Sequence, residues 1–206
     1  PKLSLFGDIQ YRRVNFRSTL KKTQVNESIP MLNPKAGISY FLSTASTLYF
    51  SFAHATKEPN RSDYKEYAKN IKKGAELPRQ EKVNDFELGW RYISEKVKLN
   101  ANVYYMLYKD QLVLTGDISN TGYSLRKNSG KSYRTGVEID ATVALAPGWE
   151  WAPNVSFSKN KNIDYTIQDP NTPTQKINLG NTDISFSPDW VVGNTISFTP
   201  IDNFQI

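Results

Sequence analysis

At 206 residues the chain is long enough to bury a sizeable core as one domain. It lacks cysteine, which excludes a disulfide framework and any thiolate metal site, and no window nears the ~18 consecutive apolar residues of a membrane helix. The formal charge of +6 is spread over loops and strand ends, without the aromatic platform of a single-strand binder, so no nucleic-acid partner is expected. The mean hydropathy of −0.56 still admits a membrane barrel, because half of each barrel strand faces a polar lumen.

Taken in chain order, period-2 alternation marks eight strands. Leu3 to Phe16 sets Leu3, Leu5, Ile9 and Tyr11 against Asp8, Gln10 and Arg12. Pro34 to Ser43 alternates Ile38, Tyr40 and Leu42 with Gly37 and Ser39. Thr47 to Thr56 sets Leu48, Phe50 and Phe52 against Ser51 and Ala53. Val83 to Tyr92 is the strictest, with Phe86, Leu88, Trp90 and Tyr92 opposing Asp85, Glu87, Gly89 and Arg91. Val97 to Val113 carries Leu99, Ala101, Val103, Tyr105 and Leu107 on one face. Ser132 to Leu145 sets Tyr133, Val137, Ile139 and Val143 against Arg134, Glu138, Asp140 and Thr142. Trp149 to Lys159 and Ile184 to Phe198 follow the same rule, and Phe204 to Ile206 reads as the start of a ninth strand.

The connections alternate in length. Short turns are expected at Ser43 to Ser46, Ile93 to Lys96, Ala146 to Gly148 and Thr199 to Asn203. Long loops are expected at Arg17 to Asn33, Lys57 to Gln80, Leu114 to Lys131 and Asn160 to Thr182. Tight turns at one end and long loops at the other are the habit of an outer-membrane barrel. Several strands reach the ~10 residues that cross a bilayer at a tilt, and Tyr11, Tyr92, Trp149, Trp151 and Trp190 are placed to form interfacial girdles. The expected fold is all-β: an antiparallel up-and-down meander of about eight strands, a segment of a larger transmembrane β-barrel. One helix is expected over Asp63 to Lys73, capped by Ser62 and stopped by Gly74, with Tyr64, Tyr67, Ala68 and Ile71 on one face.

Several stretches resemble the C-terminal part of the barrel of TonB-dependent outer-membrane receptors of the siderophore-receptor kind. They are Asn33 to Tyr40, Ser51 to Arg61, Leu77-Pro78 with Glu81 to Gly89, Tyr108 to Leu112, and Asn128 to Asp140 with its Gly136-Val137-Glu138. Lys57 stands where that family has Arg, and Arg79-Gln80 interrupt its Pro-Glu pair. The resemblance implies a 22-stranded barrel around an N-terminal plug, with outer-membrane lipid, TonB and a small-molecule nutrient as partners. It also implies that residues 1–206 are one piece of partial barrel, without the plug, the early strands and the final strands. An opening at Pro1-Lys2-Leu3 without initiator Met or signal peptide agrees with that expectation.

No catalytic constellation emerges, and neither enzyme activity, a cofactor nor a metal site is expected. His54 is the lone histidine and reads as a structural polar residue on a strand. Glu138 and Asp140 share a strand face and could mimic paired carboxylates; lumen charges offset by Arg134 and Arg91 explain them more simply. Ligand contact is expected in the loop Lys57 to Gln80, which holds seven Lys/Arg against four Asp/Glu. The candidate residues are Arg61, Tyr64, Tyr67, Lys72 and Lys73, offering positive charge and stacking area to an iron chelate. A soluble β-sandwich module, for instance one that stacks sugars on exposed Trp and Tyr, is the alternative, because its strands alternate in the same way.

Overall fold

The computed structural model describes residues 2–73, 75–118, 124–169, 172 and 175–199. Thirteen strands occur among them: β1 (Leu3–Leu20), β2 (Thr23–Phe41), β3 (Ser46–Lys57), β4 (Glu81–Ile93), β5 (Val97–Lys109), β6 (Leu112–Ile118), β7 (Ser124–Asn128), β8 (Lys131–Ala146), β9 (Trp149–Ile163), β10 (Thr166–Gln168), β11 (Lys176–Asn178), β12 (Thr182–Asp183) and β13 (Trp190–Phe198). One helix, α1 (Arg61–Asn70), follows β3. The main sheet runs β1-β2-β3-β4-β5-β8-β9, with β12 and β13 both pairing the far side of β9. Every pairing is antiparallel, so the wall is a meander of eight long strands. It is open, with β1 at one edge and β13 at the other.

The register turns eight separate alternations into one surface. Leu5, Ile38, Phe50, Leu88, Val103, Val137, Phe157 and Trp190 lie opposite one another in a single cross-strand row. The next row holds Leu3, Tyr40, Leu48, Trp90, Ala101, Ile139, Val155 and Val192. All of these side chains but Ala101 and Val155 are exposed, Leu5 to 71% and Leu88 to 55%. Among the described residues no second sheet covers them, as a sandwich would require. The opposite face is polar: Thr47, Arg91, Asn100, Asp140 and Asn154 form one row, and Ser51, Glu87, Tyr104, Gly136 and Ser158 another.

The apolar zone is slanted across this lattice. On β1 it reaches Tyr11, whereas on β13 it stops at Trp190, level with Leu5. That is six residues of drift over seven strand steps. At ~3.4 Å per residue and ~4.8 Å per step, a level membrane boundary then implies strands tilted by roughly 30°. Aromatics gather near both limits, with Phe52 against Phe86 (5.0 Å) and Tyr105 against Tyr133 (6.2 Å) toward the long-loop end. Trp90 against Tyr92 (6.1 Å) and Trp149 stacked on Phe198 (4.4 Å) lie toward the short-turn end.

Two inner-face glycines are required by close packing. The Tyr49 ring lies over Gly89, so a Cβ there would sit 2.1 Å from the ring. At Gly136 a Cβ would sit 2.5 Å from the Phe157 carbonyl oxygen and 2.7 Å from the Tyr104 hydroxyl. Tyr49 also carries the Arg91 guanidinium at 4.5 Å and donates from its hydroxyl to Asn102 Oδ1.

The expected long loops are more ordered than their composition suggests. Arg17 to Asn33 is not a loop: β1 and β2 continue to a two-residue turn, Lys21-Lys22, with φ of 49° and 70°. Two successive left-handed residues make the tight reversal of a hairpin. Beyond Tyr11 the apolar set changes face, so that Phe16, Leu20, Val25, Ile29 and Met31 point to the inner side. Leu114 to Lys131 contains the hairpin β6–β7, and the loop after β9 contains the hairpin β10–β11. The last wall strand begins at Trp190 rather than Ile184. The turn Thr199 to Asn203 beyond its first residue, and the expected ninth strand, lie outside the described residues.

The helix starts two residues earlier than expected and its cap is Asn60, not Ser62. The Asn60 side chain accepts from the Asp63 amide while the Asp63 carboxylate accepts from the Asn60 amide, a reciprocal capping box. After Asn70 the chain tightens into a 3-10 turn over Ile71–Lys73. Gly74, the expected stop, is outside the described residues. The helix seats its Tyr64 and Ala68 on Leu20 and Val25 of the inverted hairpin, with Phe16, Tyr67 and Leu77 packed around them.

Two predictions follow from this packing. Gly136→Ala should lower the melting temperature of the full-length barrel more than Gly89→Ala, because backbone rather than a ring must move; the expected costs are about 1–3 kcal/mol at Gly89 and more at Gly136. Tyr64 is 1% exposed and its hydroxyl has no hydrogen-bond partner among the described residues. Tyr64→Phe should therefore be neutral or stabilising, while Tyr64→Ala should cost about 3–5 kcal/mol and release α1. Amide exchange across Arg61–Asn70 reads both outcomes.

Candidate functional site

All ordered long connections emerge at the end of the wall opposite its tight turns. Four elements meet there: the β1–β2 hairpin tip, the segment from Glu58 to Gln80 bearing α1, the β6–β7 hairpin and the β10–β11 hairpin. Their arrangement follows from two kinds of contact. The first is apolar and centres on Tyr64, whose ring stacks on Phe16 at 4.5 Å and 13° between planes. Burial pushes the Tyr64 phenol up to about 12, with Glu27, Asp63 and Glu58 adding to the rise, so it stays neutral.

The second is a polar network centred on Arg79. Its guanidinium donates to Asp110 Oδ1 from Nε (3.1 Å) and Nη2 (2.8 Å), next to the break after β5. Its backbone amide donates to Asn128 Oδ1 at 2.9 Å, and Asn128 Nδ2 donates back to the Arg79 carbonyl at 3.0 Å and to the Asp110 carbonyl. Glu76 pairs with Lys176 at 2.6 Å, bringing β11 to the same place. The hydrogen bond from Lys176 holds the Glu76 carboxyl below its usual range, and the bond to Asp110 raises Arg79. Lys127 lies over the Tyr165 ring at 4.5 Å and donates to the Thr166 carbonyl, joining β7 to β10. Arg12 pairs with Glu58, tying β1 to the start of the helix segment. A cavity of about 340 Å³ opens between these loops, lined by Glu76, Arg79, Asn128, Ser129, Lys131 and Lys176 among others.

The five candidate residues divide by position. Arg61 and Lys72 are exposed, and Lys72 lies in the 3-10 turn beyond the helix. Lys73 closes that turn; its side chain lies outside the described set. Tyr64 is enclosed by the hairpin and presents no ring face at the surface. Tyr67 is half-buried against the same cluster. The helix therefore spends its aromatic face on its own seat and leaves its cations outward. Nothing in local sequence pattern singles out Glu76, Arg79, Asp110, Asn128 and Lys176 as partners, which come together from segments up to 100 residues apart.

On the inner face, Asp140 accepts from Asn100 Nδ2 at 3.1 Å, and Glu138 lines a cavity of about 410 Å³ with Glu87, Tyr104, Arg134 and Ser187. Arg134 donates to Ser187 and Arg91 stacks on Tyr49, so neither cation makes an ion pair with these carboxylates among the described residues. His54 Nδ1 is 2.7 Å from Asn84 Oδ1 on the neighbouring strand. Among the described residues no three His, Asp or Glu side chains converge to hold a metal ion.

Comparison with known proteins fits this architecture. The chain is similar to the pesticin receptor of Yersinia enterocolitica, 39% identical over 74 residues, which is 36% of this chain and 10% of that protein. It is 24% identical over 156 residues to the ferric-pyoverdine 358 receptor of Pseudomonas putida, covering 74% of this chain and 18% of that one. The chain thus spans between a tenth and a fifth of the length of these relatives. In structure it resembles the ferric yersiniabactin uptake receptor FyuA from Yersinia pestis, with a TM-score of 0.64 at 18% identity over 96% of this chain and 29% of that one. The family model "TonB dependent receptor-like, beta-barrel" matches residues 2–205, and the chain belongs to that family of outer-membrane barrels.

Proposed function

We propose that this chain forms part of the wall and mouth of a receptor that imports a ferric siderophore or similar iron chelate, with TonB delivering the energy. The relatives support the substrate class: a ferric-pyoverdine receptor is among those similar in sequence, and a ferric yersiniabactin uptake receptor among those similar in fold. The observation that carries the reading is the bundling of four loop elements, by Tyr64 and by Arg79, at one end of a wall with an apolar outer and a polar inner face. Such a mouth is held in shape before ligand arrives, which lowers the ordering cost of binding.

Within the mouth, Arg61 at the start of α1 and Lys72 in the turn after it supply positive charge at exposed positions, Lys73 adds its charge to the same turn, and half-buried Tyr67 offers ring area for stacking. An anionic chelate would be drawn toward these cations by long-range steering. Tyr64 acts one step removed, by fixing the helix that carries them. The residues beneath, on the polar inner face, accept the ligand's passage without an apolar barrier. Relatives that are transport receptors support a binding and uptake role over catalysis.

The expected outcome is specific. Full-length receptor should bind at least one of ferric pyoverdine, ferric yersiniabactin and ferric citrate, and cells expressing it should take up iron-55 with that chelate only when TonB is present. Arg61→Gln/Lys72→Gln/Lys73→Gln should weaken binding about 3- to 10-fold, with the loss shrinking at high salt, as screening of steering demands. Failure of a folded receptor to bind any of the three chelates would contradict the substrate class. Unchanged affinity in the triple variant would remove the role of α1.

A further inference from the structure

The outward face of the wall changes character just beyond its last apolar residues at the long-loop end. On β5, Leu107 is followed on that face by Lys109; on β8, Tyr133 is preceded by Lys131; on β4, Phe86 gives way to Asn84 and then Lys82. The register places Lys82 opposite Lys109 and Lys109 opposite Lys131. Three ammonium groups thus stand side by side on three adjacent strands. Like charges directly opposite one another destabilise a sheet.

Their neighbours on β9 are handled differently. Lys159 pairs with Asp189 at 2.7 Å and Lys161 with Asp183 at 2.5 Å. Among the described residues Lys82, Lys109 and Lys131 have no carboxylate within ion-pair distance. The wall therefore repeats a repulsive arrangement without an internal counter-charge, at the one level where an external one is at hand. That level is the upper limit of the apolar zone, where lipid headgroups begin.

The geometry points to Lys82, Lys109 and Lys131 as a docking surface for the phosphate-bearing headgroup of an outer-leaflet lipid. Two strand steps span ~10 Å, the scale of one headgroup. Lysine suits the position because its methylene stem lies along the apolar wall while its ammonium reaches up to phosphate. The acyl chains of the same lipid would lie on the rows of Phe86, Leu107 and Tyr133 below. Lys131 also borders the cavity between the mouth loops, whereas Lys82 and Lys109 do not, so chelate binding that persists in Lys82→Gln/Lys109→Gln separates this surface from the mouth.

The test uses full-length receptor stripped of lipid in a maltoside detergent and titrated with dioleoyl phosphatidic acid. Each single Lys→Gln change should weaken binding about 5-fold, and Lys82→Gln/Lys109→Gln/Lys131→Gln on the order of 100-fold. An equal charge removal at the short-turn end, Lys2→Gln/Lys96→Gln/Lys98→Gln, should leave it within about 2-fold. In lipid-free detergent the first triple variant should melt at or above the parent temperature, because a repulsion has been removed. Four results would overturn the proposal: unchanged lipid binding in that variant, equal binding of dioleoylglycerol, displacement of the lipid by millimolar inorganic phosphate, or a lower melting temperature without lipid. Equal loss in the short-turn control would overturn it as well, by reducing the effect to net charge.

Discussion

The wall depends on backbone hydrogen bonding where water is absent. Inside a bilayer each unpaired N–H or C=O costs several kcal/mol, so a strand can cross only if both its neighbours pair it fully. The antiparallel ladders from β1 to β13 meet that demand between every pair of strands. Side-chain chemistry then follows from the pleat: positions alternate between lipid and lumen, and a shift of one residue in any register would turn Leu88 inward and Glu87 outward. The cross-strand row from Leu5 to Trp190 shows how tightly this is enforced, because every one of its eight members is apolar.

Above the membrane the same constraint is relaxed, and the chain uses the freedom to reverse itself. In β1 and β2 the apolar positions pass from the outer to the inner face between Tyr11 and Phe16, without a change in pairing. The wall strands thus become a water-facing hairpin with an inward apolar patch, on which α1 rests through Tyr64. Among the described residues, the β6–β7 and β10–β11 hairpins are tied by polar contacts of Arg79, Asp110, Asn128, Glu76 and Lys176. Two physical means, one apolar and one ionic, therefore shape the two sides of the mouth. The apolar side is insensitive to salt, whereas exposed ion pairs such as Glu76–Lys176 contribute little individually and weaken as salt is raised.

Most of the wall was legible in the sequence, for a reason that does not extend to the loops. A strand between lipid and lumen must alternate strictly, and Phe86 to Tyr92 announces its pairing faces without help from any other segment. All eight wall strands are found where alternation puts them, but their ends are not: β2 begins at Thr23 rather than Pro34, β5 ends at Lys109 rather than Val113, and β13 begins at Trp190 rather than Ile184. The β1–β2 hairpin was hidden because Lys21-Lys22 lacks the Asn-Gly or Gly that usually signals a two-residue turn, and because the apolar phase reverses midway. The helix was visible from its spacing, but Asn60 won the cap over Ser62 through its reciprocal bond with Asp63. The Arg79 network left no trace in local pattern, since its partners meet only after the wall has formed.

The central claim is that one face of this wall contacts lipid and the other does not. Spin labels at Leu88 and Val103, compared with labels at the adjacent Glu87 and Asn102 in full-length receptor reconstituted in liposomes, test it directly. The account predicts that labels at Leu88 and Val103 relax with dissolved oxygen and ignore a water-soluble nickel chelate, while labels at Glu87 and Asn102 lose the preference for oxygen. Equal access of the nickel chelate to all four positions would contradict it.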